Sequence, residues 1–228
     1  SQKTVIKGFS ITGARGNVPF KQIPSEDFGP RNNSLKRGTF YLLDGGGLKV
    51  FGQSAPTIED VHFYDNETDL CGGAVSIEQQ SFKDQSVIFK NCIFENNRCP
   101  GTGSAIDVLS GSAARIENCL FVENIANYGM ERIANEFGLT YHPEHGSGAL
   151  TVFPGSSAIV KNSTFTKNWN AIDDHGTGSQ YEHCILWKNS LTDGTRPGQP
   201  YEFDVANASG VKNCFIHGVI NDLRSSID

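Results

Sequence analysis

The chain has 228 residues, 37% of them hydrophobic and 19% charged, with 25 glycines, six cysteines and a formal net charge of −6. That length suits one large domain or two small ones. The acidic balance argues against nucleic acid as a partner, and no apolar run approaches the ~20 residues that span a bilayer. Met130 is the only methionine and no leader peptide is visible, so the start reads as trimmed.

One phrase recurs along the chain: FKNCIFENN at 89–97, IENCLFVEN at 116–124, VKNSTFTKN at 160–168 and YEHCILWKN at 181–189, with weaker echoes at 6–14, 58–66 and 211–219. Aligned in chain order, its central column is Gly8, Asp60, Asn91, Asn118, Asn162, His183 and Asn213. Two residues earlier stand Ile6, Ile58, Phe89, Ile116, Val160, Tyr181 and Val211; one residue later stand Phe9, Val61, Cys92, Cys119, Ser163, Cys184 and Cys214. Two further on come Ile11, Phe63, Phe94, Phe121, Phe165, Leu186 and Ile216. Apolar residues thus recur at period two on both sides of the centre, which is strand periodicity. At the centre the phase slips, and Asn or Asp suits a left-handed corner. Each phrase reads as strand, corner, strand.

A further strand precedes most phrases: GGLKV at 46–50, GAVSI at 73–77, SAIDV at 104–108, ALTVF at 149–153, AIDDH at 171–175 and EFDVA at 202–206. The cysteine column repeats at spacings of 31, 27, 44, 21 and 30 residues. Such periods mean stacked units that cannot bury their apolar side alone. The expected fold is all-β, a right-handed parallel β-helix of three sheets and about six to seven coils, forming one domain over 1–228. The first coil lacks its first strand and the tail NDLRSSID carries no capping helix, so the chain reads as a piece of a longer protein.

One column tests the register independently. Beside the corner stand Lys7, Glu59, Lys90, Glu117, Lys161, Glu182 and Lys212, alternating in sign without exception. Strands ~4.8 Å apart would set each charge between two opposite ones.

With these columns in place, the chain resembles the pectate-lyase-like β-helix superfamily, whose members often carry an asparagine ladder at the short corner. CGGAV with FENN, GSAI with FVEN and GSGAL with FTKN are also similar to the GGA and FxxN repeats of polymorphic outer-membrane proteins. The resemblance covers roughly residues 4–218 and implies coil geometry. It also implies that any polysaccharide site would lie along the first sheet, between loop walls.

The outward residues of that sheet are Lys49, Ser76, Asp107, Thr151, Asp173 and Asp204. Asp107, Asp173 and Asp204 are the candidate catalytic acids. Asp173 and Asp204, ~5 Å apart by strand spacing, are the candidate calcium ligands, calcium being the one cofactor such oxygens suit. Asp174 falls in a core column, where a carboxylate needs a partner. With His175 it is a candidate ligand-binding pair, unless the strand ends early and Asp174-His175-Gly176 is a turn. The NTD and RIK motifs of polygalacturonases are absent, and Lys49 stands too far from Asp173 to serve as a lyase base. His142, Glu144 and His145 offer zinc-type donors.

Insertions at 14–37, 125–145 and 190–200 precede several strands. The middle one spaces Met130, Ile133, Ala134 and Phe137 as a short amphipathic helix would. On the third sheet Ile93, Leu120, Ile185 and Phe215, flanked by Tyr64, Val122 and Trp187, form an apolar outward stripe. Tyr64 and Trp187 are candidate sugar-stacking residues. Cys92, Cys119, Cys184 and Cys214 share an inward column and read as stacked free thiols, whereas Cys71 and Cys99 sit in neighbouring loops where a disulfide is conceivable.

These features support a noncatalytic module of an exported, periplasmic or surface protein that recognises polysaccharide or docks to a neighbouring domain. The alternatives are a lyase or hydrolase of an acidic glycan working through the aspartate face, and a structural spacer.

Overall fold

The computed structural model describes residues 4–16, 43–80, 85–109, 111–129, 135, 148–189, 201–217 and 223–224. Three seven-stranded sheets, each wholly parallel, wind around one core. The second sheet holds Val5–Lys7, Thr57–Glu59, Val87–Lys90, Ala113–Glu117, Ser157–Lys161, Gln180–Glu182 and Val211–Lys212. The third holds Ser10–Thr12, His62–Tyr64, Ile93–Glu95, Leu120–Val122, Thr164–Thr166, Ile185–Trp187 and Phe215–Ile216. The first holds Leu48–Phe51, Val75–Glu78, Ile106–Leu109, Gly148–Val152, Asn170–Asp174, Phe203–Val205 and Leu223–Arg224. Its last strand comes from the tail, which pairs through Leu223 and Arg224 rather than simply trailing away.

The charge column sets the register as expected. Lys90 is the partner of both Glu59 and Glu117, and the alternation holds from Lys7 to Lys212. Ion pairs form at Lys7–Glu59 (2.8 Å) and Lys161–Glu182 (2.7 Å). Both are exposed, so they specify pairing more than they stabilise.

Two left-handed corners punctuate each coil. The first is the central column, with φ of +74° at Gly8 and +51° to +55° at Asp60, Asn91, Asn118, Asn162, His183 and Asn213. The second follows the third-sheet strand and occupies Gly13, Asp65, Asn96, Glu123, Lys167 and Lys188. The buried asparagine ladder belongs to this second corner. It runs Asn66, Asn97, Asn124, Asn168, Asn189, and each of the first four donates from Nδ2 to the Oδ1 of the next, at 3.0, 3.0, 2.9 and 2.8 Å. The chain of amides ends on Glu202, whose Oε1 accepts from the Asn189 N–H at 3.1 Å and whose Oε2 accepts from Asn189 Nδ2. A left-handed Glu or Lys costs on the order of 1 kcal/mol. The bonds made by the following asparagine offset it.

Between the corners the core is a pile of like residues. Phe63, Phe94, Phe121 and Phe165 stack with centroids 5.0, 4.7 and 4.2 Å apart. The cysteine column is a second polar ladder: the Cys92 N–H donates to Cys119 Sγ (3.4 Å) and the Cys119 N–H to Ser163 Oγ (3.1 Å). At Ser163 the hydroxyl accepts the backbone bond that a cysteine sulfur accepts one coil earlier. All six thiols are free, Cys71 and Cys99 included.

The helix expected within 125–145, with Met130, Ile133, Ala134 and Phe137, lies outside the described residues. So do His142, Glu144, His145 and most of the three insertions. Among the described residues, no helix is long and apolar enough to cross a membrane.

Candidate functional site

The outward row of the first sheet runs Lys49, Ser76, Asp107, Thr151, Asp173, Asp204, each the register partner of the next. The order is the expected one; the environment is not. Ser76, Asp107 and Asp173 have no solvent exposure, and Asp204 has 1%. The row is therefore no open acidic groove. Glycine turns entering the strands fold over it: a Cβ on Gly72 would touch the Ser76 Cβ at 3.0 Å, and one on Gly103 would meet the Asp107 Cβ at 2.8 Å.

The covered acids are held by protein groups. The Thr102 hydroxyl donates to Asp107 Oδ2 at 3.0 Å, while burial and the nearby Asp44 push the Asp107 carboxyl well above its usual range. The Tyr201 hydroxyl donates to Asp173 Oδ2 at 3.1 Å, and His175 Nε2 lies 2.8 Å from Asp173 Oδ1. That bond raises the His175 pKa, with Asp204 and Asp174 adding their charge.

Asp174 corrects the turn reading. The strand runs through it, in register with Val152 and Val205. Buried at 2% exposure, it accepts from the Tyr181 hydroxyl and the Gly176 N–H, both at 2.7 Å. Its carboxyl is raised by burial. The chain leaves the strand at His175, and the bend falls at Thr177 and Gly178.

A second cluster surrounds Lys49, whose Nζ lies 3.6 Å from Asp44 Oδ2 and 3.7 Å from Glu78 Oε2. Burial pushes Asp44 up to about 7, with Glu78 reinforcing and Lys49 opposing. A carboxyl with a folded pKa above its unfolded value stabilises fully below the unfolded pKa and loses that contribution as pH rises through the folded one. Thermal stability should therefore fall as pH rises from about 4 to about 7, and the raised Asp107, Asp174 and His175 add slope of the same sign. Asp44→Asn should make that slope shallower, by an amount on the order of a few kcal/mol. Melts of the two proteins across pH check it; parallel slopes would show that Asp44 is not the titrating group.

The outer face of the third sheet is the opposite kind of surface. Ile93, Ile185, Trp187 and Phe215 are 37, 45, 38 and 60% exposed. The Trp187 and Phe215 rings stack at 5.5 Å and 23°, and His217 meets Trp187 edge-on at 4.5 Å. Tyr64 stands in the same outward row as Trp187, four strand steps away, or ~19 Å. The two aromatic candidates are therefore not one site. Between them the row's acid, Glu95, lies 2.9 Å from His62 Nε2.

A family model for the right-handed β-helix region matches residues 20–143, just over half of the chain. The chain belongs to the right-handed β-helix family. Neither curated proteins nor solved structures gave a match.

Among the described residues, a hollow of about 390 Å³ lies beside Lys49–Pro56 and another of about 310 Å³ beside Thr177–Glu182. Neither is lined by Asp107, Asp173 or Asp204. Among the described residues, no group of three His, Cys, Asp or Glu has the geometry to hold a metal ion. Sequence reading named Lys49 and Phe215 but missed their neighbours Asp44 and Glu78 in the one case and His217 in the other. The signals were present: Glu78 follows Ser76 at period two, and His217 follows Phe215 likewise.

Proposed function

We propose that the chain is a noncatalytic binding module that takes an uncharged polysaccharide on the outer face of its third sheet, with Trp187 and Phe215 as the stacking platform. The observation that carries this reading is the contrast between the two faces. Asp107, Asp173 and Asp204 are buried, the first two accepting from Thr102 and Tyr201, whereas Ile185, Trp187 and Phe215 stand in solvent beside one another.

Contiguous exposed apolar surface marks an interaction site more often than a bare one. Two near-parallel aromatic rings offer flat apolar faces to the C–H side of sugar rings, with Lys188 and His217 at the rim for hydroxyls. The −6 of the whole chain favours a neutral polymer over an anionic one.

Affinity electrophoresis tests the reading. Hydroxyethylcellulose in the gel should retard the native protein, and Trp187→Ala or Phe215→Ala should weaken that retardation about tenfold or more, the loss of one buried aromatic contact. Circular dichroism should stay native, since both side chains are on the surface. Unchanged retardation in both variants would refute it. Retardation or cleavage of polygalacturonate, lost in Asp173→Asn, would instead support the aspartate-face enzyme.

A further inference from the structure

Among the described residues, one end of the coil stack is uncovered. Val5–Lys7 and Ser10–Thr12 are the end strands of the second and third sheets, and an end strand offers its outer backbone groups to another chain. The Gly8 N–H donates to the Glu59 carbonyl and the Thr57 N–H to the Thr4 carbonyl, at 3.1 and 2.9 Å. The peptide groups of Val5 and Lys7 therefore face the other way, out of the stack. Inside the stack Ile58 and Phe63 are fully buried, yet Ile6 and Ile11, one coil earlier in the same columns, are only partly so. The hollow of about 390 Å³ adjoins this end, with Ile6, Leu48 and Val50 in its wall.

The charge row says what fits there. Lys90 and Lys161 each lie between two glutamates. Lys7 has Glu59 and Asp60 behind it, at 2.8 and 3.3 Å, and among the described residues no register partner in front. The far end of the row is Lys212, so a second copy added head to tail would set Lys212 against Lys7. Like charges directly opposite disfavour that pairing.

We propose that this end is a docking surface for a partner polypeptide, which adds one strand–corner–strand phrase with an acid in register with Lys7. Main-chain bonds to Val5 and Lys7 hold the added strand, and its apolar side chains cover Ile6 and Ile11. The acid fixes the register, because a slip of one residue would turn the apolar side chains out to solvent. Residues 113–124 of the chain itself carry the required pattern, with Ile116 and Phe121 inward and Glu117 in the charge row, where its neighbours are lysines.

The test is fluorescence polarisation of a labelled synthetic peptide of residues 113–124 against the full chain under reducing conditions, beside the same peptide with Glu117→Lys. The glutamate peptide should bind about fivefold more tightly, the span between an exposed attraction and an exposed repulsion. Lys7→Gln, which sets no new charge against Glu59, should erase that preference and leave the circular dichroism native. No binding, equal affinities for the native chain, or a preference that survives Lys7→Gln would each overturn the proposal. Sedimentation should show no self-association that depends on position 7. A dimer that Lys7→Gln strengthens or weakens would give this end to a second copy and overturn it equally.

Discussion

Asn124→Ala should cost the fold about 4 kcal/mol or more, a large share of the ~5–15 kcal/mol that holds a domain together. Asn124 is fully buried. Its Oδ1 accepts from the N–H and the Nδ2 of Asn97, both at 3.0 Å, and its Nδ2 donates to the Phe94 carbonyl and to Asn168 Oδ1, both at 2.9 Å. Alanine leaves those groups buried and unpaired, at about 1–3 kcal/mol each. Asn118, in the same phrase, makes the opposite prediction. It is exposed and its Nδ2 reaches Asn91 Oδ1 only at 3.5 Å, so Asn118→Ala should cost about 1 kcal/mol, chiefly from its left-handed backbone. Urea midpoints of the two variants decide it. Similar small shifts would mean that the ladder is not holding the coils.

Phe121→Ala is expected to cost a similar amount. The ring is fully buried between Phe94 and Phe165. Truncating such a ring costs about 3–5 kcal/mol, and each lost stack adds about 0.5–1.5 kcal/mol. Phe121→Leu should cost far less, since the same column already accepts Leu186, itself fully buried. Chemical denaturation measures both. A leucine variant as damaged as the alanine one would show that aromatic stacking, not filled volume, is the need at this position.

Much of this architecture could be read from the residues because parallel coils pile like upon like. Alternating charge at Lys90, Glu117 and Lys161 placed every second-sheet strand against its correct neighbours. Parity also told which side of the first sheet Asp107 and Asp173 take. It could not tell what covers that side. A residue that points outward is exposed only if no turn folds back over it, and here the glycine pairs of CGGA and the GTGS turn do so. Those glycines were the available clue.

The two asparagines of the repeat posed a similar problem. The solvent corner also accepts Gly8, Asp60 and His183, because it asks only for a left-handed backbone. The ladder column reads Asn at 66, 97, 124, 168 and 189, because each buried side chain there donates to the amide oxygen ahead and accepts from the amide behind. Asp174 was placed in the core by its period. Its partner Tyr181 lies in another sheet, so strand periodicity could not reveal the pair.

Hydroxyl-radical footprinting with and without hydroxyethylcellulose most directly tests which face of the coil binds. Protection on adding the polymer should fall on Trp187, Phe215 and Ile185, with His175, the partly exposed residue beside Asp173, unchanged. Protection of His175 while Trp187 stays reactive would place the ligand over the aspartates and contradict the account.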